Sequence, residues 1–171
     1  MKLARLLIAL LVSVPVLAAA GLAVAGGHGA ADAASPATAR FHDLDKAKDA
    51  GYTIRLADAA GIECIAHTSQ GAMGVHMVNG SLLDGTIDAT KPEVLVYEPR
   101  ADGTLKLVAV EYVVFEADWK GAGKPALFGR EFDYSDATNR YGLPPFYALH
   151  AWIWKPNPSG LLYAWNPNVD C

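Results

Sequence analysis

Apolar and polar positions alternate along several segments after Gly51, and these segments are rich in Val, Leu, Tyr and Trp, which favour strands. Each segment is bounded by Gly, Pro, Asn or Asp, the residues typical of turns. The segments with this pattern are 72–78, 93–98, 104–115 and 146–154. Residues 99–103, Pro-Arg-Ala-Asp-Gly, join the second and third segments and predict a hairpin. The pattern therefore predicts a mainly antiparallel sheet.

A helical period precedes the strands. Phe41, Leu44 and Ala47 recur at helical spacing, with Pro36 at a first-turn position and Gly51 where a glycine would end the helix. The remaining positions are mostly charged, which is typical of a solvated helix face. We therefore expect one helix that begins at Pro36 and ends before Gly51.

The other segments lack a regular period. Residues 26–35 are rich in Gly, Ala and Ser and predict a flexible leader, whereas 116–145 read as a long, partly packed loop. The tail, 156–171, contains repeated Asn-Pro turn signals. Residues 36–171 are thus predicted to form a single globular α+β domain. In this domain an N-terminal helix packs on the sheet, with a long loop and an irregular C-terminal tail closed by a disulfide.

The first residues follow the order of a secretory signal peptide. Lys2 and Arg5 precede an apolar run over 6–20, and small residues then end at Ala25. We therefore expect residues 1–25 to be cleaved and the mature protein to be secreted or periplasmic. An uncleaved membrane anchor is the alternative, because the apolar and small residues approach the length that spans a bilayer.

Cys64 and Cys171 are the only cysteines. An exported protein meets an oxidising compartment, so we expect a disulfide between them. The chain-entropy model assigns a loop of this size up to about 4.7 kcal/mol of stabilisation. A pair of free thiols or a cysteine metal site is the alternative, although the chain has no Cys-x-x-Cys spacing.

The charge balance limits the partners. The chain has 14 basic and 18 acidic residues, a formal net charge of −4, and cleavage after residue 25 removes two of the basic residues. No basic stripe is present to neutralise phosphates, so nucleic acid is not an expected partner. No membrane association is expected after signal-peptide cleavage, and the oligomeric state is left open.

Glu111 stands where alternation predicts an apolar residue. Its predicted strand face also carries four apolar residues, Leu107, Ala109, Val113 and Phe115. A buried carboxylate costs free energy unless it is paired. The pattern therefore predicts a specific partner for Glu111.

Two histidines occupy similar positions. His76 lies centrally in the first predicted strand, and His150 shares a face of the last strand with Trp152. Two imidazoles and the carboxylate of Glu111, brought together from three strands, form a ligand set that zinc or ferrous iron accepts. We expect a convergent site at these three residues, with Tyr112 and Trp152 completing a ligand pocket.

Two other interpretations of the same residues remain open. In the first, a metal-free pocket uses them for ligand binding or acid–base chemistry. In the second, each is satisfied separately by its own neighbours and none has a shared role. The spacing of the three residues along the chain matches no known ligand motif, so the convergence rests on the strand faces alone.

A second metal site is suggested by the processing position. Cleavage after Ala25 would expose Gly26-Gly27-His28, whose amine, amide nitrogens and imidazole bind Cu(II) in a square plane. His28 is therefore a further candidate ligand. Met73 and Met77 would add soft groups suited to copper, although a methionine pair in a strand is more often core filling.

Common catalytic signatures are missing from the sequence. The chain has no Gly-x-Ser-x-Gly, no phosphate-binding glycine loop and no His-Glu-x-x-His. Whether the protein is an enzyme is therefore left open.

Several segments resemble a group of uncharacterised exported bacterial proteins with no established activity. They are Met73-Gly74-Val75-His76, 92–99, 107–112, 149–154 and 165–171. The resemblance implies export and a shared fold, and no catalytic residues. The sequence thus favours an exported domain that binds a small molecule or a divalent metal. A metal-dependent enzyme built on the same three residues, and a structural or cell-surface interaction domain, are the alternatives.

Overall fold

The computed structural model describes residues 28–171, with side chains described from residue 33 onward. The predicted signal peptide, 1–25, lies outside these residues, as does the side chain of His28. Within residues 28–171, no helix is both long enough and apolar enough to cross a membrane.

Strands dominate the described residues. The helices are α1 (His28–Thr38) and α2 (Leu44–Asp49), with 3₁₀ turns at Ala39–His42 and Gly80–Leu82. The strands are β1 (Ile54–Arg55), β2 (Cys64–His67), β3 (Gly71–Val78), β4 (Val94–Pro99), β5 (Leu105–Phe115), β6 (Ala126–Leu127), β7 (Arg130–Glu131), β8 (Asp133–Ser135) and β9 (Phe146–Ala151). The four strands expected from the alternation are therefore present as β3, β4, β5 and β9, and β9 ends three residues earlier than expected.

One antiparallel sheet contains seven of these strands. Its order is β1-β3-β4-β5-β9-β8, and β2 pairs with β3 beside β1. The β4–β5 hairpin turns at 99–103 as expected, while β6 and β7 form a separate two-stranded hairpin. The prediction of a mainly antiparallel sheet is confirmed.

The sheet buries both of its faces. The first face carries Val75, Met77, Leu95, Tyr97, Val110, Tyr112 and Leu149, and it packs against Phe41, Ala47, Tyr52 and Phe132. The second face carries Val78, Val94, Val96, Ala109 and Trp152, and it packs against Val169 of the tail. A sheet with two buried faces gives a long polar side chain on either face little access to water.

A β-bulge interrupts the alternation of β5. Val96 pairs with Ala109 and Tyr97 pairs with Leu107, so Val108 is the extra residue. The bulge places Leu107 in the first-face core, whereas Val108 and Ala109 are both in the second-face core. The expectation that Leu107 shares a face with Glu111 is wrong for this reason.

The single helix expected from Pro36 to Gly51 is divided in the structure. Asp43 is extended, and its carboxylate accepts hydrogen bonds from the backbone N–H groups of Asp45 (3.1 Å) and Lys46 (3.4 Å). An aspartate that caps a helix in this way starts a new one, so α2 begins at Leu44. Gly51 ends this region with φ +98°, as expected of a C-terminal glycine.

Residues assigned to the leader and the long loop contain regular structure. The leader was expected over 26–35, but α1 already begins at His28, and alanine has the highest helix propensity of any residue. The packing of α1 on the sheet stays a prediction. The loop 116–145 contains β6, β7 and β8, and Phe132 is fully buried. The loop is therefore packed, as expected, but more regular than its composition indicates.

The predicted disulfide is present. Cys64 of β2 is bonded to Cys171, with their Cα atoms 5.6 Å apart and a sequence separation of 107. Asn166 bridges to Ala72 of β3, and Val169 is fully buried. The tail is therefore held along the sheet by a covalent bond and by its own packing.

Candidate metal centre

Three strands bring His76, Glu111 and His150 to the second face of the sheet. Glu111 of β5 and His150 of β9 are direct cross-strand partners. His76 of β3 is paired with Val96 of β4, so its side chain crosses β4 to reach them. Val96 is in turn paired with Ala109 of β5, whose side chain is only a methyl group. These three residues are called the trio below.

The nitrogen and oxygen atoms of the trio converge. His76 Nε2 lies 3.3 Å from His150 Nε2 and 3.6 Å from Glu111 Oε2, and His150 Nδ1 lies 3.3 Å from Glu111 Oε1. One ligand atom from each residue can be chosen so that all lie within 4.8 Å of one another. Ligands about 2.0–2.1 Å from a tetrahedral zinc ion lie roughly 3.3–3.4 Å apart. The two Nε2 atoms are within hydrogen-bond distance of each other, and the same separation also suits two ligands of one shared ion.

Burial sets the protonation of the trio. The exposed fractions are 1 % for His76, 8 % for Glu111 and 4 % for His150. Burial lowers the pKa of His76 to about 4 and lowers that of His150 well below its usual value. Burial also raises the pKa of Glu111 to about 8, and the nearby Glu93 carboxyl adds to this effect. At neutral pH the imidazoles are neutral, which is the form that binds metals, and Glu111 largely retains its proton.

The trio does not satisfy all of its own polar atoms. His150 Nδ1 faces Glu111 Oε1 at 3.3 Å, and this contact helps to fix the orientation of the imidazole. His76 Nδ1 is buried and makes no hydrogen bond of good geometry among the described residues, although the Gly74 backbone lies close enough to raise the pKa of the ring. A buried polar atom without a partner carries a desolvation cost of about 1–3 kcal/mol. Because an ion bound to Nε2 would leave Nδ1 as it is, this cost does not distinguish a metal site from a hydrogen-bonded trio.

A cavity of about 210 Å³ opens beside Glu111. Its walls come from the second face of the sheet and from Tyr141 and Leu143 of the long loop. Among the residues that the structure describes, Glu111 is the one carboxyl that lines it. The two histidines are not part of the cavity wall. The carboxylate thus connects an apolar cavity to a buried pair of imidazoles.

The segment that follows β1 and the long loop, 116–145, are joined by a salt bridge. Arg140 Nη2 lies 2.7 Å from Asp58 Oδ2, and the Ala59 N–H donates to the Arg140 carbonyl at 2.9 Å. The Leu56 N–H donates to the carbonyl of His76 at 3.0 Å. The segment after β1 is therefore fixed both to the strand that carries His76 and to the long loop.

Of the two residues expected to complete the pocket, only Trp152 lies beside the trio. Its indole is stacked near His150, with ring centroids 6.3 Å apart and planes at 20°, and it belongs to the second-face core. Tyr112 follows Glu111 in an alternating strand, so it points to the first face, where its hydroxyl donates to the Ala89 carbonyl at 2.8 Å. The grouping of Tyr112 with this pocket is therefore corrected.

The copper interpretation receives no added ligands from the sheet. Met77 is buried in the first-face core, because it is adjacent to His76 in an alternating strand and must point the other way. It therefore fills core space rather than joining His76. His28 stays a prediction, since its side chain is outside the described residues.

Glu93 is the buried carboxyl that the pattern did not reveal. It is 1 % exposed, and its Oε2 accepts a hydrogen bond from the Val113 N–H at 2.9 Å. Burial raises the pKa of Glu93 to about 8. Glu93 lies between Pro92 and a run of strand residues, as at an ordinary strand start. Nothing in the sequence therefore indicates that its carboxylate takes the place of a strand partner for Val113.

No protein-family model, curated protein or solved structure matches this chain. The function must therefore be argued from the trio and its surroundings. Those residues form a buried cluster of two imidazoles and one carboxylate with the composition of a divalent metal site.

Proposed function

We propose that this protein is an exported domain that binds one divalent metal ion through His76, Glu111 and His150. The observation that carries the proposal is the convergence of one ligand atom from each of three separate strands within 4.8 Å, at a buried position. Two neutral nitrogens and one carboxylate oxygen suit zinc or ferrous iron better than calcium or magnesium, which prefer oxygen ligands.

The protonation states of the trio are compatible with a bound cation, because neutral imidazoles offer their lone pairs to a metal and Glu111 can exchange its proton for an ion. Burial disfavours the charged form of each residue, so the metal-free trio holds Glu111 in its protonated state. A divalent ion would displace that proton and give the carboxylate a partner at short range. It would also occupy the space between two Nε2 atoms that lie 3.3 Å apart.

Export is part of the proposal and rests on two separate supports. The segment 1–25 has the order of a signal peptide. The Cys64–Cys171 disulfide suits an oxidising compartment such as the periplasm or the cell exterior.

A binding role is favoured over a catalytic one. A hydrolytic site needs a group that handles protons in addition to the metal ligands. Among the described residues that line the cavity, Tyr141 is the one polar side chain besides Glu111. A metal-dependent enzyme is the second candidate, since three protein ligands leave a coordination position for water or substrate.

Metal analysis of the purified mature protein tests the proposal. The protein is loaded with zinc or ferrous iron, dialysed and measured for metal content beside His76→Asn, Glu111→Gln and His150→Asn. We expect about one ion per chain for the wild type and a loss in all three variants.

Two matched variants control for indirect effects. His67→Ala removes a histidine outside the trio whose Nδ1 accepts from the Ser69 N–H, and Glu93→Gln changes the other buried carboxyl. Both should retain the ion. The proposal is wrong if the folded wild type takes up no stoichiometric metal, or if all trio variants retain it.

A further inference from the structure

The cavity on the second face of the sheet has a wall made almost entirely of apolar side chains. The sheet supplies Val78, Val94 and Phe146, and the long loop supplies Leu143. Ile54, another wall residue, is 51 % exposed, so the cavity reaches the surface beside it. A small molecule can therefore enter from solvent while the sheet stays folded.

The wall offers little to a water molecule. Its polar side chains, among the described residues, are Glu111 and Tyr141. Both carboxyl oxygens of Glu111 face the trio, with Oε1 3.3 Å from His150 Nδ1 and Oε2 3.6 Å from His76 Nε2. Water is held in a cavity only where it finds about two to four polar partners. Water here is poorly held, and an apolar molecule that displaces it gains affinity.

The same wall disfavours an ionised ligand. No lysine, arginine or histidine side chain is among the described residues that line the cavity. An anion that left solvent for this position would lose its hydration without gaining a charged partner. A cation would meet only Glu111, whose oxygens are directed at the two histidines. The ligand that suits this wall is therefore neutral.

The volume and the aromatic rings of the wall define the size and shape of the ligand. An apolar engineered cavity of roughly 150 Å³ accommodates a benzene ring. The cavity here has about 210 Å³, enough for one ring with a short substituent. The rings of Tyr141 and Phe146 have centroids 6.4 Å apart with planes at 52°, and Phe115 adds a third ring to the wall. A guest ring can make edge or offset contacts with them.

A salt bridge holds two parts of the wall together. Leu56 and Tyr141 both line the cavity, and they lie close in sequence to Asp58 and Arg140, whose side chains are 2.7 Å apart. A wall that is already fixed in the free protein needs little ordering when a ligand arrives, which lowers the entropic cost of binding.

We propose that this cavity is a second binding site, which takes a small neutral aromatic molecule of about one ring with a short apolar substituent. The ligand is held by packing against the apolar wall. It stays on the cavity side of Glu111 and does not reach the two histidines, so the site goes beyond the proposed metal centre and does not depend on it.

Calorimetric titration of the full mature domain with toluene tests the inference. Benzoate and benzylammonium serve as negatively and positively charged probes of similar size. We expect toluene to bind roughly tenfold or more tightly than either ion, because the ions find no charged partner in the wall. The zinc-loaded and metal-free forms should have the same affinity for toluene.

Two variants test the position of the site in opposite directions. Val113 lines the cavity, so Val113→Phe should fill it and weaken toluene binding roughly tenfold or more. Leu143→Ala should widen it, so that the affinity for naphthalene rises about tenfold relative to that for toluene. Ile62→Phe, at a position that is 49 % exposed and outside the cavity wall, is the matched control and should bind toluene as the wild type does. Thermal unfolding checks that each variant is folded.

The outcomes separate this inference from the metal site. Equal affinities for toluene and benzoate would overturn the neutral ligand class. Unchanged toluene binding in folded Val113→Phe would overturn the position of the site, and a folded wild type that binds no toluene would overturn the inference as a whole. The metal content of the protein enters none of these results, so the proposed metal site stands or fails separately.

Discussion

Glu111 and His150 face each other directly across β5 and β9, with His150 Nδ1 3.3 Å from Glu111 Oε1. This contact orients the imidazole so that its Nε2 is directed at His76, 3.3 Å away. The carboxylate therefore positions the atom that would bind a metal, while burial and the neighbouring His76 hold the pKa of His150 well below its usual value.

The stability of the metal-free protein should fall as pH rises from 6.5 to about 8. Glu111 and Glu93 have ordinary pKa values of 4.5 but titrate near 8 in the folded state, so folding retains protons that the unfolded chain has released. The titration of His76 has the opposite effect and makes stability rise with pH. It does so only below pH 6.5, because burial lowers the pKa of His76 from 6.5 to about 4 in the folded state. Urea unfolding at intervals between pH 6.5 and 8 measures the slope.

Glu111→Gln provides the comparison for this slope. The amide does not titrate, so the variant should lose the Glu111 contribution and show a flatter dependence on pH, with the Glu93 contribution remaining. Identical slopes in the variant and the wild type would contradict the assignment of a raised pKa to Glu111.

Metal binding at pH 7 should release about one proton per ion, because Glu111 must lose the proton it retains in the metal-free trio. The neutral imidazoles contribute none, since burial keeps their pKa values below 7. Calorimetric titrations in buffers with different ionisation enthalpies give the number of protons released. An observed enthalpy that does not change with the buffer would rule out Glu111 as a protonated ligand.

Loss of the disulfide should lower the free energy of unfolding by up to about 4.7 kcal/mol, the value that the chain-entropy model gives for a loop of this size. The bond closes a loop over a sequence separation of 107. Guanidinium unfolding of a Cys64→Ser, Cys171→Ser double variant checks this, with the reduced wild type as a second measurement. An unchanged midpoint would show that the packing of Val169 and Asn166 alone holds the tail.

Tyr112→Phe should separate the two faces of the sheet. The substitution removes the hydrogen bond from the tyrosine hydroxyl to the Ala89 carbonyl and should cost roughly 1–2 kcal/mol of stability. Metal affinity should not change, because Tyr112 points away from the trio. A loss of metal without a loss of stability would place Tyr112 in the site after all.

The sequence was sufficient to predict the sheet and the convergence of the trio because side chains in a strand alternate with a fixed period. His76, Glu111 and His150 each stood out as ionisable residues among apolar neighbours, and their strand faces could be assigned by counting. The same counting failed for Leu107, since the Val108 bulge shifts the register and nothing in the local composition indicates it.

Other features depend on contacts between distant segments. A pocket at the trio was predicted, but Tyr141 and Leu143 belong to a loop whose position over the sheet is set by tertiary packing, so these wall residues could not be identified. Glu93 is buried because its carboxylate takes the place of a strand partner for Val113. Asp43 could equally well have been a solvated helix residue, and only its backbone geometry shows that it caps α2.

His76 and His150 are 74 positions apart in the chain, and the sheet strands β4 and β5 lie between them. No short fragment can therefore assemble the ligands, and a nascent or unfolded polypeptide offers an ion only isolated histidines. If the chain crosses a membrane before it folds, the ion that it binds would depend on the compartment in which the sheet forms. The metal supply at the destination, rather than the cytoplasmic one, would then determine which element the mature protein carries.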